Sequence, residues 1–313
     1  MATRQKTIFP PGDAPDLEHE SVGPNSTLMA AVRAYRNHMQ EAGFSTHTVK
    51  AFSADLRLLQ NYVGPQIPIH ELGTQELNQF LYWLRYERGV PCSPKSYARR
   101  VTTLKSFFGW LTSIHVTPFD PAASILHPKI TVPLPTVLQD DEIDRLLEVT
   151  EAMASAPRLD PRPHLLATLL LQTGIKKAEC MQLTPDDFED SDPERPTVLI
   201  RYHNPRLLHK ERRLDVSPGL MHTLGQYLAR YRPARRIFEC TPRNLEYVLT
   251  DAAGQANLPH SASFESLRGT CAYRDFRDGM PHDQLRQKLG LSKVTFRETL
   301  RKLEELAAKE KDA

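Results

Sequence analysis

Residues 282–303, HDQLRQKLGLSKVTFRETLRKL, have the order of a helix, a glycine turn and a second helix. Ser292 is the predicted N-cap of the second helix, and Lys293, Thr295 and Arg297 follow it early in that helix. In a helix-turn-helix module, side chains at this position contact base edges in the major groove. A helix-turn-helix-type transcription regulator is therefore one candidate function. Short matches of this kind are common by chance, and no wing follows this one.

A second set of residues that could bind nucleic acid is cationic and comes from the C-terminal half of the chain. It comprises Lys176, Lys210, Arg212, Arg213 and Arg268. Such side chains can hold the phosphates of a nucleic acid, because electrostatic binding needs only cations close to the backbone. The alternative is a scatter of surface salt bridges. The basic run RPARR at 232–236 has its own alternative, since it follows a predicted helix and would also serve as C-terminal capping charge.

The sequence gives no indication of metal, disulfide or membrane chemistry. The cysteines Cys92, Cys180, Cys240 and Cys271 are widely spaced without a CxxC pair, which argues against a zinc site and fits a reducing cytosol. The histidines are dispersed. The longest apolar run, LLATLLL at 165–171, is too short to span a bilayer, and the N-terminus lacks the apolar segment of a signal peptide. We expect a cytoplasmic protein with no cofactor and no membrane partner.

Length and charge set the scale of the molecule. A chain of 313 residues is long enough for two domains, each with its own core. Lys and Arg number 40 against 38 Asp and Glu, which gives a net charge of +2. Nucleic-acid binding would therefore depend on charge gathered on one face.

The N-terminal half predicts a bundle of helices after a disordered tail at 1–25. Four segments with apolar residues at helical spacing begin near Ser26, near Ser45 or Thr46, near Thr74 and near Ser93, and together they predict a four-helix domain at 26–116. Ser26 and Ser93 are the predicted N-caps of the first and fourth helices. The second and fourth helices also gather polar residues away from their apolar faces. These polar residues include Lys50, Ser53 and Arg57 on the second helix and Ser96, Arg99 and Arg100 on the fourth.

A proline-rich segment at 117–136 predicts a linker, because proline removes backbone donors and disfavours helix before it. The second predicted domain, 137–313, is rich in helix. It also contains two short β-like runs, TVLIRY and RRLDVS, separated by HNPRLLHKE. The predicted fold class is mainly α with a small β-hairpin.

Several segments in order resemble the tyrosine recombinases of the Xer and phage-integrase class, over roughly residues 27–303. The N-terminal half resembles their SAM-like core-binding domain in STHTVKAFSADLRLLQNYV and SPKSYARRVTTLKSFFGWL. The C-terminal half resembles their catalytic domain in LLQTGIKKAECMQL, RYHNPRLLHKERRLDV, FESLRGTCAYRDFRDGM and LGLSKVTFRETL. Agreement of many segments in order is more specific than any one motif.

The resemblance implies a defined chemistry and a defined way of binding DNA. In the family, a tyrosine attacks a DNA phosphate, two arginines stabilise the phosphoryl oxygens, a hairpin lysine protonates the leaving oxygen and two histidine-type positions assist. The second and fourth helices of the core-binding domain lie against the major groove. The polar residues of those two helices are therefore candidate DNA contacts, with an ordinary solvated helix face as the alternative.

The first family positions are altered in this chain. Lys176 replaces the first arginine, which keeps the charge and loses the bidentate fork. In the hairpin, aligning KER on 210–212 places Leu207 where the catalytic lysine belongs. Lys210 and Arg206 lie nearby in sequence, but neither is in register.

The remaining positions are altered too, with one exception. Arg268 keeps the second arginine, while Glu265 stands in place of a histidine; we expect Glu265 to pair with Arg268 and to repel phosphate. The family spacing from Arg268 reaches Leu291 at the second histidine-type position and Leu300 at the tyrosine, without a gap. No tyrosine follows Tyr273 in the chain. Five of the six catalytic positions are therefore changed.

The sequence thus favours a DNA-binding protein with a recombinase fold that lacks strand transfer and has an accessory or regulatory role in recombination or integration. An active recombinase with a rearranged site and a protein-interaction module remain as alternatives. The expected partner is double-stranded DNA, with nucleoid association when bound. The C-terminal helix, with Phe296, Leu300, Leu303 and Ala307 on one face, is also a candidate contact to a second copy or to an active recombinase.

Overall fold

The computed structural model describes residues 22–128, 134–155 and 160–311. The chain divides into two compact units, Met1–Val132 and Pro133–Ala313, and the division falls inside the predicted linker. Most of the predicted disordered tail, residues 1–21, lies outside the described residues.

Four α-helices build the described part of the first unit: α1 (Leu28–Glu41), α2 (Thr46–Val63), α3 (Thr74–Tyr86) and α4 (Pro94–Ser113). Ser93 caps α4 as predicted and Ser45 caps α2, each accepting a hydrogen bond from the backbone N–H three residues on. The predicted cap of α1 was wrong by one residue. Thr27 is the cap, because the Ser26 hydroxyl instead accepts from the N–H of Gly23 in the preceding turn.

The core of the first unit is aromatic and leucine-rich. Tyr35 of α1 packs against Phe107 of α4, with ring centroids 5.3 Å apart, and donates its hydroxyl to Ser106 Oγ at 2.6 Å. The start of the proline-rich segment joins this core, because Ala122 and Ile125 are buried in it. That part of the predicted linker packs on the helices instead of running free, and residues 129–133 lie outside the description.

The second unit is helical around a small sheet. Its helices are α5 (Asp140–Ser155), α6 (Arg162–Thr173), α7 (Lys177–Cys180), α8 (Pro218–Tyr231), α9 (Pro242–Gln255), α10 (Phe264–Arg277), α11 (His282–Lys288) and α12 (Lys293–Lys311). The strands β1 (Phe188–Glu189), β2 (Thr197–Ile200) and β3 (Arg212–Asp215) form an antiparallel sheet in the order β1-β2-β3. The predicted fold class, mainly α with a small hairpin, is confirmed.

The core of the second unit surrounds α6, whose residues Leu165, Leu166, Leu169 and Leu170 have no exposed surface. A separate apolar cluster holds α12 against α10 and α11, with Phe296 and Leu303 buried in it. The predicted apolar face of the C-terminal helix therefore packs within the chain. None of the helices in the described ranges is long and apolar enough to cross a membrane.

Candidate nucleic-acid interface

A buried carboxylate, Glu179 of α7, organises the cationic site of the second unit. Arg212 of β3 donates to both of its oxygens, at 3.1 Å and 2.9 Å. The backbone N–H of Lys176 donates at 2.7 Å, and the Lys176 Nζ lies 3.7 Å away. The hydroxyl of Tyr202, two residues after β2, also donates to Glu179. Glu179 thus joins α7, β2 and β3.

The cations of this site also bind the end of α11. Arg212 Nε donates to the carbonyl of Lys288 at 2.7 Å, and Lys176 Nζ donates to that of Gly290 at 2.9 Å. Arg268 Nη2 donates to the carbonyl of Leu289 at 2.6 Å. Three cations from three parts of the chain therefore donate hydrogen bonds to three successive carbonyls. We call these the α11 carbonyl triplet (Lys288, Leu289, Gly290).

The turn after α11 has the hydrogen bonds of a Schellman motif. Gly290, at φ 57°, donates to Gln287 O at 2.9 Å, and Leu291 donates to Arg286 O at 3.1 Å. A Cβ on Gly290 would lie 2.8 Å from Nη1 of Arg212. Glycine is needed here both for the left-handed backbone and for the approach of the guanidinium.

The protonation behaviour of the site reflects burial and crowding of charge. Burial lowers the pKa of Lys176; Glu179 opposes this, while Arg268, Lys210 and Arg212 add to it. Burial also lowers the pKa of Arg268, with Glu179 opposing. The site is therefore rich in positive charge around one negative group.

The pKa values of Glu179 and Tyr202 move apart. Burial acts to raise the pKa of Glu179, but the hydrogen bonds and charge of Arg212, with further donors, outweigh it and hold the pKa below its ordinary value. Burial and the adjacent carboxylate raise the pKa of Tyr202 to about 12. The carboxylate is therefore charged and the phenol protonated at neutral pH.

The hairpin positions lie at the edge of this site. Leu207, half-buried, and the exposed Arg206 belong to a short 3-10 helix, Pro205–Lys210. Lys210 is near enough to act on the pKa of Lys176, yet its ammonium makes no hydrogen bond or ion pair with another described residue. Arg213 points elsewhere and pairs with Glu189 on the exposed side of the sheet.

The expected ion pair between Glu265 and Arg268 is wrong for the described part of the chain. Glu265 is exposed. The guanidinium of Arg268 instead donates to the carbonyls of Gly174 and Leu289. Arg268 reaches inward to backbone acceptors, so the acidic neighbour on its helix has no part in holding it.

Of the two aliphatic positions that follow Arg268, Leu291 lines the same cavity as Arg268. Leu291 and Leu300 are half-buried against the cluster of α10, α11 and α12. This cavity has a volume of about 170 Å³ and is lined in part by Arg268, Leu291 and Thr299. Thr299 donates its hydroxyl to the carbonyl of Thr295 at 3.0 Å. The polar hydrogen of this threonine is thus used within its own helix.

The hydroxyls of two other residues near α12 are also engaged locally. Ser292 caps α12 by accepting from the N–H of Thr295 at 3.2 Å, as predicted. Tyr273 of α10 donates its hydroxyl to Glu310, and burial with this carboxylate raises its pKa to about 12. Tyr273 therefore fastens α12 to α10.

The α11–α12 segment has the helix, turn and helix of the predicted helix-turn-helix, and Lys293, Thr295 and Arg297 are exposed on α12. The cations bound to the α11 carbonyl triplet hold its turn in place, and the apolar cluster holds its second helix. The segment is thus an integral part of the second unit.

In the first unit, the polar face of α2 is open at Lys50 and Arg57, which are exposed, while Ser53 is half-buried. The polar residues of α4 are tied inward by Asp55, a buried carboxylate of α2. Arg99 donates two hydrogen bonds of 2.8 Å to Asp55, and its side chain remains 44% exposed. It can therefore still meet a ligand.

Arg100 differs from Arg99, because its side chain is only 11% exposed. Its Nε lies 3.5 Å from Asp55 Oδ1, and it also donates to the sulfur of Cys92. We therefore leave Arg100 out of the candidate surface. Ser96, half-buried, accepts from the hydroxyl of Ser93 at the start of α4.

The basic run at 232–236 begins at the C-terminus of α8, where capping charge was the alternative to nucleic-acid binding. Arg232 is the C-cap of α8, at φ 46°. Glu239 accepts hydrogen bonds from the backbone N–H groups of Ala234 and Arg235, at 3.1 Å and 2.7 Å.

The described residues contain no group of three or more His, Cys, Asp or Glu side chains placed to hold a metal ion.

Comparison with known proteins identifies the family. Residues 32–115 match the family described as "Phage integrase, N-terminal SAM-like domain". The chain is 32% identical over 270 residues to Tyrosine recombinase XerC of Mycobacterium sp. (strain JLS), covering 78% of this chain and 87% of that protein. It is 29% identical over 196 residues to Tyrosine recombinase XerD of Listeria innocua, covering 63% of each chain. The chain belongs to the tyrosine recombinase family.

Solved structures show the same fold. A lambda integrase tetramer bound to a Holliday junction superposes with a TM-score of 0.68 at 15% identity, covering 92% of this chain and 81% of that one. The XerH site-specific recombinase bound to difH substrate superposes with a TM-score of 0.64 at 18% identity, covering 90% and 84%. At these identities the likeness establishes the fold.

Reasoning from the sequence missed two parts of this site. It included Glu179 only within a segment that matches the family, although an acid at the third position of a helix can accept from the backbone N–H of the N-cap residue, as Glu179 does from Lys176. It did not single out Tyr202, whose partner Glu179 is 23 residues away in sequence. No local signal reveals a contact of that kind.

Proposed function

We propose that this protein binds duplex DNA with the fold of a tyrosine recombinase and does not transfer DNA strands. The observation that carries the proposal is that Leu300, which the family spacing from Arg268 assigns to the nucleophile, is an aliphatic residue packed against the cluster of α10, α11 and α12. Loss of a general acid or base costs roughly 10²- to 10⁴-fold in rate, whereas loss of the covalent nucleophile removes the reaction route. The proposed role is accessory or regulatory, in DNA recombination or integration.

DNA binding is supported by cations that remain accessible in each unit. Lys50, Arg57 and Arg99 are exposed in the first unit. In the second unit, Lys210 has no acidic partner among the described residues, and the side chain of Lys176 is 35% exposed. The DNA-bound lambda integrase and XerH structures have this fold, and we extend duplex DNA to this chain as its ligand on that basis.

One observation favours the second candidate, an active enzyme with a rearranged site. Tyr202 places a phenol within the cationic site, bonded to Glu179 and close enough to Arg268 to affect its pKa. Its own raised pKa, to about 12, opposes this role, because a protonated phenol is a poor nucleophile. We therefore favour the DNA-binding role without cleavage.

The experiment begins with selection of bound duplexes from random DNA by the full-length protein. An enriched inverted repeat would support a symmetric dimer or a pair with an active recombinase, and its absence would count against that assembly. The α12 face is covered within the chain, so such a contact would use other surfaces. Retention of the duplex should fall steeply as salt is raised. No salt-dependent retention would contradict DNA binding and favour a protein-interaction module.

Strand transfer is tested on the selected duplex carrying a nick on either strand, with an active tyrosine recombinase on its own nicked site as positive control. We expect no covalent protein–DNA adduct from the wild type. An adduct that disappears in Tyr202→Phe would overturn the proposal in favour of the rearranged site. An adduct that persists in that variant would overturn it as well and assign a different nucleophile.

The helix-turn-helix regulator is tested by Lys293→Ala combined with Arg297→Ala. If α11 and α12 only stabilise the second unit, the variant should enrich the same sequences as the wild type. A changed consensus sequence would instead assign base reading to α12. We also propose a cytoplasmic location, with nucleoid association through the bound DNA.

A further inference from the structure

An exposed aromatic pair lies at the end of α3. The side chains of Tyr82 and Tyr86 are 56% and 62% exposed, and their ring centroids are 4.8 Å apart with the planes at 43°. Arg85 lies over the Tyr86 ring at 5.3 Å and over the Tyr97 ring at 5.9 Å. We call Tyr82, Arg85, Tyr86 and Tyr97 the tyrosine platform. Large aromatic surface grouped in this way is uncommon on a surface without a ligand.

The platform carries positive charge that no acid neutralises. The exposed residues within α3, which is fully described, are Gln75, Asn78, Gln79, Tyr82, Arg85 and Tyr86. None of them is acidic, and Arg85 forms no ion pair with a carboxylate in the described ranges. The nearest acidic side chain along the chain, Glu87, follows the end of the helix. An arginine held only by aromatic rings remains available to an anion.

The platform borders the start of α4, because Arg85 of α3 lies over the ring of Tyr97. Tyr97 is in the first turns of α4, next to Ser96 and two residues before Arg99. Arg99 is bound to Asp55 of α2, the helix that presents Lys50 and Arg57. A DNA strand that passes the start of α4 would therefore meet aromatic rings and a guanidinium.

We infer that the tyrosine platform binds unpaired bases of DNA, next to the duplex held by α2 and α4. Exposed rings stack on bases of any sequence, and an arginine among them holds the backbone or a base face. This inference rests on the proposed DNA binding and specifies its ligand as duplex with an adjoining single-stranded segment. The lack of an exposed acidic residue within α3 and of an ion pair at Arg85 in the described ranges favours DNA over a protein surface as the occupant.

The test compares two fluorescent ligands, a blunt duplex carrying the selected site and the same duplex with an unpaired thymine tail at one end. The full-length wild type should bind the tailed duplex more tightly, by about 5- to 150-fold for each base that stacks. Tyr82→Ala with Tyr86→Ala should remove this gain and leave the affinity for the blunt duplex unchanged. The double phenylalanine variant should keep most of the gain, because the rings remain.

Tyr247→Ala is the matched control. Tyr247 is 57% exposed on α9 of the second unit, with Arg243 at 5.4 Å over its ring, but no other tyrosine ring in the described ranges packs beside it. Its removal should leave the gain from the tail intact. Because Tyr82 and Tyr86 are exposed, the melting temperature of the double alanine variant should match the wild type.

The outcomes separate the inference from the proposed function. If neither ligand is bound, the DNA-binding proposal fails. If the blunt duplex is bound but the tail adds nothing, or if the gain survives in the double alanine variant, the platform inference alone fails. A change in the oligomeric mass of that variant in sedimentation, with no change in tail binding, would assign the platform to a protein contact and overturn the inference.

Discussion

Replacement of Glu179 by glutamine should test whether this buried carboxylate holds the cationic site together. Its side chain is 3% exposed and lies against Arg212, whose side chain is 8% exposed. Glutamine preserves shape and one acceptor oxygen but removes the negative charge. Arg212 would then be a buried cation without its carboxylate, next to the partly exposed Lys176.

The expected loss follows from the contacts. Removing one partner of a buried ion pair costs about 3–5 kcal/mol. The glutamine oxygen can still accept one hydrogen bond, and Arg212 keeps its contacts to the carbonyls of Lys210 and Lys288, so the lower end applies. With a denaturant dependence of about 2 kcal/mol per M, a loss of about 3 kcal/mol lowers the urea midpoint by about 1.5 M.

The assay uses the placement of the tryptophans. Trp83 and Trp110 both belong to the first unit, so tryptophan fluorescence follows that unit, while far-ultraviolet circular dichroism follows the helices of both. In Glu179→Gln, the circular dichroism transition should move to lower urea and the fluorescence midpoint should stay in place. Two probes are needed because a chain of two units need not unfold in one step.

The control is Glu189→Gln. It removes the acidic partner of Arg213, the residue that follows Arg212 on β3. That pair is about half exposed on both sides, at 55% and 48%, so the cost should be below about 1 kcal/mol. If Glu179→Gln shifts the urea midpoint no more than Glu189→Gln does, then Glu179 does not organise the site and the reasoning is refuted.

The pH dependence of the same variant has a definite sign. The pKa of Glu179 is lower in the folded protein than its ordinary value of 4.5, so the folded state favours the charged form. Its contribution to the free energy of unfolding is therefore fully present above about pH 4.5 and is lost as the pH falls through the folded pKa. The difference in stability between wild type and Glu179→Gln should shrink on acidification below pH 4.5. A difference that stays constant down to pH 3 would contradict the lowered pKa.

Three further substitutions have clear expected outcomes. Gly290→Ala should lower the urea midpoint more than Gly279→Ala. Both positions have positive φ, so an alanine at either one costs about 1–2 kcal/mol of stability, but only at Gly290 does the new Cβ meet a guanidinium. Equal midpoints would contradict the close packing. Asp55→Asn should lower the fluorescence midpoint of the first unit by an amount corresponding to about 3 kcal/mol, since it leaves a buried arginine without its carboxylate; a shift seen only by circular dichroism would place the effect elsewhere. Leu300→Tyr should give no covalent adduct on the nicked duplex, because the other altered positions remain, and an adduct would show that the phenol was the single missing group.

Local signals in the sequence were sufficient for most of the fold. Ser45 and Ser93 act on backbone groups three residues away, and apolar spacing acts within one helix, so both can be read from a short window. The cap of α1 was missed by one residue because Ser26 and Thr27 are both good caps. The choice between them is made by the turn at Gly23 and by a bridge from Thr27 to Pro68.

The cationic residues of the candidate site could be named from the sequence, but their hydrogen-bond acceptors could not. Lys176 and Gly290 are 114 residues apart, and Arg268 and Leu289 are 21 apart, so no sequence window contains either contact. Arg100 shows the same limit. Its position on α4 indicates a polar face, yet Asp55 on another helix draws its charge into the unit. Residue type identified the cations, and only the tertiary structure identifies their acceptors.

The α11 carbonyl triplet gives these cations a use that does not depend on chemistry at phosphorus. Carbonyls at the end of a helix have no partner within it, and a buried one left unpaired costs about 1–3 kcal/mol. Lys176, Arg212 and Arg268 fill that need for α11. Natural selection for a folded chain would then preserve positive charge at these places long after a nucleophile had disappeared. Basic residues in a recombinase relative are thus weak grounds for assuming that it still cuts DNA.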